Sequence, residues 1–289
     1  QSEDFIRVSL YIGEAVEGEK AKLLVWKEND SALDPLIYPV TIYYNGDGEE
    51  YKYPIVEETD YNFGTILGII KKANSAWQSR NSYNQRAFWD HAAYHTGNME
   101  AYFLTGNETY REYSTNWAER NEWKGAKSDD KSKWKYGYGE SDEYVLFGDW
   151  QICFQTYIDL NIMDPSEEKV ARALEVMGYQ TKETDNNDYW WWADGLYMVM
   201  PVMTRMYLLT GEHIYLDKLY EYYMYAGDLM FDDEYKLFYR DGNYVYPKNP
   251  TPNGLKNFWS RGNGWVFAGL AKVLQDVPTD WEHRDLFLQ

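Results

Sequence analysis

The pattern of hydrophobic and polar residues changes near residue 60. Before that point, apolar and β-branched residues occur in short runs, at 6–12, 21–26 and 38–44. The last run leads into Asn45-Gly46-Asp47-Gly48, which is typical of a tight turn, and then into a further strand-like run at 49–56. We therefore predict that residues 1–60 form a small β-rich N-terminal segment.

From residue 61 onward, apolar residues recur at the spacing of amphipathic helices. The predicted helices are 63–78, 87–104, 107–122, 147–161, 166–180, 192–209, 213–229, 263–275 and one starting near 280. Leu104-Thr105-Gly106 and Leu209-Thr210-Gly211 each join two of them, with the glycine suited to ending a helix. Weaker junctions occur at 160–164 and 274–278. Repeated helix pairs predict a solenoid or a closed α/α toroid over residues 61–289.

Four polar residues lie near the start of the first helix of each pair. They precede their junctions by 11 to 15 residues and are His91, Asp149, Asp194 and Arg261. The first helices of successive pairs run parallel in a toroid, so their N-termini should gather at one mouth. We predict a functional site at this mouth. Helix capping is the alternative explanation, although an arginine is unfavourable at a helix N-terminus.

The composition of the chain favours some classes of binding partner and disfavours others. Lys and Arg number 28 against 47 Asp and Glu, so the net charge of −19 disfavours binding to nucleic acid or to an anionic membrane. No apolar run approaches the ~18 residues of a membrane span. The single cysteine, Cys153, excludes an intrachain disulfide and a multi-cysteine zinc site. The 13 Trp and 29 Tyr suit a carbohydrate partner, or else a tyrosine-rich core.

Three stretches around the predicted mouth contain candidate catalytic or binding residues. Asp194 follows three tryptophans, and desolvation there would raise the pKa of its carboxyl toward that of a usable proton donor. Asp149 supplies a second carboxylate, as glycoside hydrolysis usually requires. Arg261 offers a planar fork for a carboxylate beside Trp259, whose ring could stack on a sugar. His91 and His95 have the i, i+4 spacing of a zinc motif but lack its glutamate, so we predict neither metal nor cofactor.

The motifs Trp-Ala-Asp-Gly-Leu-Tyr-Met at 192–198 and Trp-Ser-Arg-Gly-Asn-Gly-Trp at 259–265 resemble the unsaturated glycuronyl hydrolases, glycoside hydrolase families 88 and 105. The unsaturated rhamnogalacturonyl hydrolases of family 105 are the closer likeness. The resemblance covers roughly residues 61–289 and implies an all-α, (α/α)6 six-hairpin barrel. Such a barrel has twelve helices and about nine are predicted, so we expect it to be C-terminally incomplete in this chain.

The resemblance also implies a reaction. These enzymes release the unsaturated uronic acid from the non-reducing end of lyase-generated oligosaccharides of pectin or rhamnogalacturonan type, by protonating C4 and hydrating C5 of the C4=C5 double bond. By motif, Asp194 matches the acid/base, Asp149 the second catalytic Asp, and Trp259 and Arg261 the substrate-binding pair.

The remaining predicted substrate-binding residues are His91, Trp192 and Arg240. Where many members of these families carry a histidine, this chain has Phe-Tyr-Arg-Asp at 238–241. Either Arg240 binds an anionic substrate in its place, or the substrate preference differs.

Two other hypotheses stay open. One is an inverting α/α-barrel glycosidase that uses Asp149 and Asp194 as acid and base, and the other is a non-catalytic carbohydrate-binding or scaffold protein. The sequence starts at Gln1 rather than Met, as in a mature or trimmed chain. We expect an extracytoplasmic location, periplasmic or secreted.

Overall fold

The computed structural model describes residues 20–25, 36–41 and 63–288. Strands β1 (Lys20–Val25) and β2 (Leu36–Thr41) pair antiparallel, with Lys20 opposite Thr41. They coincide within two or three residues with the predicted runs at 21–26 and 38–44. The other N-terminal predictions lie outside the described residues: the run at 6–12, the turn at 45–48, the run at 49–56 and the domain boundary near residue 60.

Ten α-helices follow in the described part of the chain. They are α1 (Phe63–Gln78), α2 (Trp89–Thr105), α3 (Glu108–Arg120), α4 (Gly148–Gln151), α5 (Cys153–Met163), α6 (Glu167–Lys182), α7 (Ala193–Thr210), α8 (Ile214–Met230), α9 (Ser260–Asp276) and α10 (Arg284–Leu288). Every predicted helix is present. The helix predicted at 147–161 is divided at Ile152 into α4 and α5, and α9 begins three residues before its predicted start. None of these helices is both long and apolar enough to cross a membrane.

The Leu-Thr-Gly junctions end helices as predicted. Gly106 and Gly211 adopt left-handed φ values of 64° and 73°. Their N–H groups donate to the carbonyls of Tyr102 and Tyr207, each at 2.7 Å. Because glycine reaches this conformation without a steric penalty, each junction turns the chain sharply into the next helix.

The helices form two layers, as in an α/α barrel. The inner helices are α2, α5, α7 and α9, and their pairing partners α3, α6, α8 and α10 lie outside. All residues from Cys153 to Asn161 of α5 are buried, whereas α6 and α8 bury one face each. Thr96 on α2 hydrogen-bonds Tyr197 on α7, with 2.8 Å between the two hydroxyl oxygens. The all-α, α/α-barrel prediction is confirmed for this part of the chain.

Side chains from all four inner helices meet at one buried arginine near their C-terminal ends. Arg205 Nε and Nη2 donate to the two carboxylate oxygens of Asp159 at 2.8 and 3.1 Å. Its guanidinium also lies 3.6 Å from Asp276 and 3.9 Å from Glu100. We call these four residues the floor cluster. Arg205 is eleven residues after Asp194 on α7, or about 16 Å along the helix axis.

Two further details of the fold bear on the site. The short strands β3 (Phe231–Asp232) and β4 (Leu237–Phe238) pair antiparallel between α8 and α9, which the sequence analysis did not predict. Cys153, at the start of α5, is fully buried, and its Sγ donates to the Trp150 carbonyl at 3.2 Å. Burial raises the pKa of this thiol above its ordinary value.

Candidate active site

The four helix starts at the barrel mouth share one local pattern. The residue before each of α2, α4, α7 and α9 is aromatic, and its side chain makes no capping hydrogen bond: Phe88, Phe147, Trp192 and Trp259. The second residue of each helix is charged: Asp90, Asp149, Asp194 and Arg261. Side-chain capping from the N-cap position therefore does not account for these charged residues. In α2 the equivalent residue is Asp90, and the predicted His91 is its neighbour.

Trp192 joins the starts of α4 and α7. A Cβ added at Gly148 would lie 3.1 Å from the Trp192 ring, and one added at Gly195 would lie 3.0 Å from it. A side chain at either position would press on the ring, so the two glycines let it lie close against both helices. Trp192 was predicted to bind substrate, but just 7% of its surface is exposed. Its ring lies against the starts of α4 and α7, and its contact with substrate stays a prediction.

The start of α9 packs against the start of α7. A Cβ at Gly262 would lie 2.9 Å from the Trp259 ring and 3.4 Å from the Ala193 Cβ. The guanidinium carbon of Arg261 lies 4.3 Å from the centroid of the Trp259 ring. Stacking on an electron-rich ring favours an arginine at a helix end where the macrodipole disfavours it. The structure thus brings Asp149, Asp194 and Arg261 to one end of the barrel.

Backbone contacts fix Arg240 beside Asp194. The Ala193 N–H donates to the Arg240 carbonyl at 2.8 Å, and Trp192 forms an antiparallel bridge with Asp241. Asn263 anchors the preceding strand, because its side chain accepts from the Phe238 N–H at 2.8 Å and donates to the Phe238 carbonyl at 2.9 Å. The Arg240 side chain stays half exposed.

The carboxyl of Asp194 is partly buried. Burial raises its pKa to about 6, and the positive charges of Arg261 and Arg240 limit the rise. Its Oδ1 is buried and has no hydrogen-bond partner among the described residues. Asp194 is therefore an acid that changes protonation state close to neutral pH, as general acid–base catalysis requires.

Asp149 is more deeply buried, with 6% of its surface exposed. Burial raises the pKa of its carboxyl to about 8, and the negative charges of Asp194, Asp90 and Glu140 contribute to the rise. At pH 7 Asp149 is then mostly protonated and Asp194 mostly ionised. Because Asp149 is neutral while Asp194 ionises, it does not oppose that ionisation. The two acids offer one donor and one acceptor at the same mouth.

The two histidines of α2 have different surroundings. His91 Nε2 lies 3.8 Å from Asp90 Oδ2, at the mouth. His95 is buried one turn further along, where its ring stacks on the Trp117 ring with 3.9 Å between the two centroids. Its Nδ1 lies 3.0 Å from Ser114 Oγ. Desolvation lowers the pKa of His95 well below its ordinary value, so it stays neutral in the core. The described residues contain no group of three or more His, Cys, Asp or Glu that could hold a metal ion.

Sequence reasoning missed an arginine that crosses the mouth. Arg86 Nη2 donates to Asp90 at 2.9 Å, and Nη1 donates to Glu140 at 2.6 Å. Its guanidinium also lies over the Phe88 ring at 4.6 Å. We call Arg86, Asp90 and Glu140 the mouth clamp. Arg86 and Glu140 are 54 residues apart, so no local pattern in the sequence indicates that contact.

The profile of Glycosyl Hydrolase Family 88 matches residues 67–289. The chain belongs to this family. It is 31% identical over 209 residues to an unsaturated 3S-rhamnoglycuronyl hydrolase of Formosa agariphila, an alignment that covers 69% of this chain and 53% of that protein.

Two solved structures are closely similar to this family 88 chain. One, described as a polysaccharide lyase, is 60% identical with a TM-score of 0.76, covering 78% of this chain and 63% of the other. A family 88 glycosyl hydrolase from Bacteroides vulgatus is 52% identical with a TM-score of 0.76, covering 78% and 64%. The chain therefore spans between half and two thirds of the length of these relatives.

Proposed function

We propose that this family 88 chain carries the site of an unsaturated glycuronyl hydrolase. The substrate is an oligosaccharide, released by a polysaccharide lyase, that bears a C4=C5 unsaturated uronic acid at its non-reducing end. The observation that carries the proposal is the pair of buried acids at one mouth, Asp149 and Asp194, with pKa values of about 8 and about 6, together with the positive charges of Arg240 and Arg261 that act on Asp194. Family membership and the name of the Formosa relative support it.

The two arginines suit the anionic end of this substrate. Arg261 is exposed and lies over Trp259, so its fork is free to pair with the uronic acid carboxylate while the Trp259 ring stacks on the sugar. Arg240 adds a second positive charge that acts on Asp194. These local charges attract an anion despite the net charge of −19.

The proposed reaction consumes one water molecule. Asp194 reacts in its protonated form, which a pKa of about 6 keeps populated as a minor fraction near neutral pH. It delivers a proton to C4, water adds to C5, and the proton lost by that water returns to the Asp194 carboxylate. The resulting hemiketal at C5 opens to a ketone. C1 is then a hemiacetal, and its breakdown releases the next sugar with a free hydroxyl. Asp149, protonated at neutral pH, donates a hydrogen bond to the bound sugar. A group with a pKa near the working pH contributes about 10²–10⁴-fold to such proton transfers.

A second candidate is suggested by the 60% identical structure described as a polysaccharide lyase. A lyase would run the opposite change at the double bond, since an ionised Asp194 would remove the C5 proton of an intact uronic acid and the C4 substituent would leave. The same residues could face either substrate, so the direction of the reaction must be measured.

The deciding experiment follows the ultraviolet absorbance of the unsaturated uronide. We expect absorbance to fall with lyase-digested pectin or rhamnogalacturonan fragments and to stay constant with the intact polysaccharides. A rise with intact polysaccharide would establish the lyase instead. New reducing ends without loss of absorbance would indicate an inverting glycosidase, and glycan binding without product would indicate a binding protein.

A further inference from the structure

Tyr138 is a large aromatic residue exposed at the barrel mouth. Its exposed fraction is 67%, and its ring lies 5.9 Å from the ring of Phe147, which directly precedes α4. Its hydroxyl donates to Glu140 at 3.2 Å. The charge of Asp149 acts on this hydroxyl, which places the tyrosine within electrostatic reach of that acid.

The backbone around Tyr138 is held in place although its ring is exposed. The Gly139 carbonyl accepts a hydrogen bond from Trp150 Nε1 at 3.3 Å, which ties the segment to α4. A Cβ added at Gly139 would lie 2.1 Å from the Tyr144 ring, so the two pack closely. On the other side of Tyr138, Arg86 of the mouth clamp donates a hydrogen bond to Glu140. A fixed backbone that presents an exposed aromatic face is a preorganised binding surface rather than a core contact.

The order of residues around the mouth gives this surface a direction. Helix α7, which carries Asp194, contacts α9, which carries Arg261, and also contacts α4, beside which Tyr138 and the mouth clamp lie. If the uronic acid carboxylate pairs with Arg261, the α4 side of the mouth, where Tyr138 is exposed, is left for the next sugar.

We propose that Tyr138 binds the leaving-group sugar, the unit next to the unsaturated uronic acid, by stacking its ring on the apolar face of that sugar. The mouth clamp positions the segment that carries Tyr138. This inference rests on the proposed function, because it assumes that the uronic acid lies between the acid pair and the arginines.

The test compares two substrates that differ only in the leaving group: an unsaturated uronic acid disaccharide and the methyl glycoside of the same uronic acid. We expect Tyr138→Ala to raise KM for the disaccharide about 3- to 10-fold, the range of a lost aromatic contact, with little change in kcat. KM for the methyl glycoside should not change. Tyr138→Phe is the matched control, and it should retain most of the affinity because it keeps the ring.

Three outcomes would overturn the inference: an equal rise in KM for both substrates, no rise for the disaccharide, or a Tyr138→Phe variant as impaired as Tyr138→Ala. The hydrolase function survives all three, provided the wild type consumes the methyl glycoside. If the wild type consumes neither substrate, the proposed function fails. Calorimetric Kd values for the same two ligands and variants then decide whether Tyr138 binds the second sugar.

Discussion

The mouth and the floor of the barrel are two ends of the same inner helices, and both contain aspartates and arginines. At the floor, Arg205 is surrounded by Asp159, Asp276 and Glu100 at 2.8 to 3.9 Å. At the mouth, neither Asp149 nor Asp194 forms an ion pair among the described residues, and Arg261 stacks on a tryptophan instead. Asp149, Asp194 and Arg261 are thus unpaired at the mouth, although the partly exposed mouth clamp beside them is paired, whereas Asp159 at the floor is both buried and paired.

This difference distinguishes residues that stabilise the fold from residues that are available for proton transfer. At the floor the charge of Arg205 offsets that of the buried Asp159, and removing Arg205 leaves Asp159 buried without compensation. Unpaired acids at the mouth have raised pKa values, which costs stability but leaves a proton available near neutral pH. We therefore expect floor substitutions to change unfolding and mouth substitutions to change turnover.

The largest expected effect is the loss of turnover in Asp194→Asn. The amide is nearly the same size but cannot deliver a proton, so kcat should fall about 10²–10⁴-fold while the melting temperature changes little. Absorbance assays and thermal unfolding would measure both. Asp217→Asn, at an exposed position in the first turn of the outer helix α8, is the matched control and should retain full activity. Undiminished turnover by Asp194→Asn would remove this residue from the mechanism.

Arg205→Met should have the opposite profile. We expect it to lower the free energy of unfolding by about 3–5 kcal/mol, because Asp159 is left buried without its partner. Denaturant titration would measure this loss, and turnover per folded molecule should change little. Lys182→Met, which removes an ion pair with Glu212 on the surface, should cost less than about 1 kcal/mol. If the two substitutions cost the same, the floor cluster does not stabilise the barrel as described.

The pH dependence of the free energy of unfolding in Asp149→Asn tests how much an unpaired buried acid costs. The pKa of Asp149 is about 8 in the folded chain, above its ordinary value near 4, so the folded state holds a proton that the unfolded state loses across this window. The wild type should therefore lose stability as pH rises from about 4 to 8, by at most about 1.4 kcal/mol per pH unit from this group. The variant lacks this loss, so its relative stability should increase with pH. A difference that does not depend on pH would contradict the raised pKa.

The smallest effect is expected for Arg261→Lys. Lysine keeps the charge but loses the planar fork and the stacking on Trp259, so KM should rise about tenfold, equivalent to about 1.4 kcal/mol. Initial rates over a range of substrate concentrations would separate KM from kcat. An unchanged KM would show that only the charge matters at this position.

The sequence predicted the features that depend on local pattern. The helix positions follow from apolar periodicity, and the junctions follow from Gly106 and Gly211. The early start of α9 was missed because Arg261 and Gly262 are unfavourable in a first turn. The packing of Trp259 and Ala193 against Gly262 fixes that start, and this contact becomes visible only in three dimensions.

The candidate site also contains residues that the sequence predicted and residues that it did not. Counting back from the junctions located Asp149, Asp194 and Arg261, because the helix pairs repeat. The same count selected His91 where the structure puts Asp90 in the equivalent position. The mouth clamp and Tyr138 lie on or against a long connecting segment between α3 and α4, whose path depends on distant contacts such as Arg86 to Glu140.

The burial of Cys153 has a practical consequence for site-specific labelling of this protein. It is the single cysteine of the chain, and a buried thiol with a raised pKa reacts slowly with alkylating reagents. A fluorophore or spin label attached through Gly137→Cys beside Tyr138, where an added Cβ meets nothing within 4 Å, or through Leu208→Cys at the exposed C-terminal part of α7, would therefore mark one position without removing a native cysteine. Spectra of the two labelled proteins could then show whether adding a sugar immobilises one end of the barrel and leaves the other unchanged.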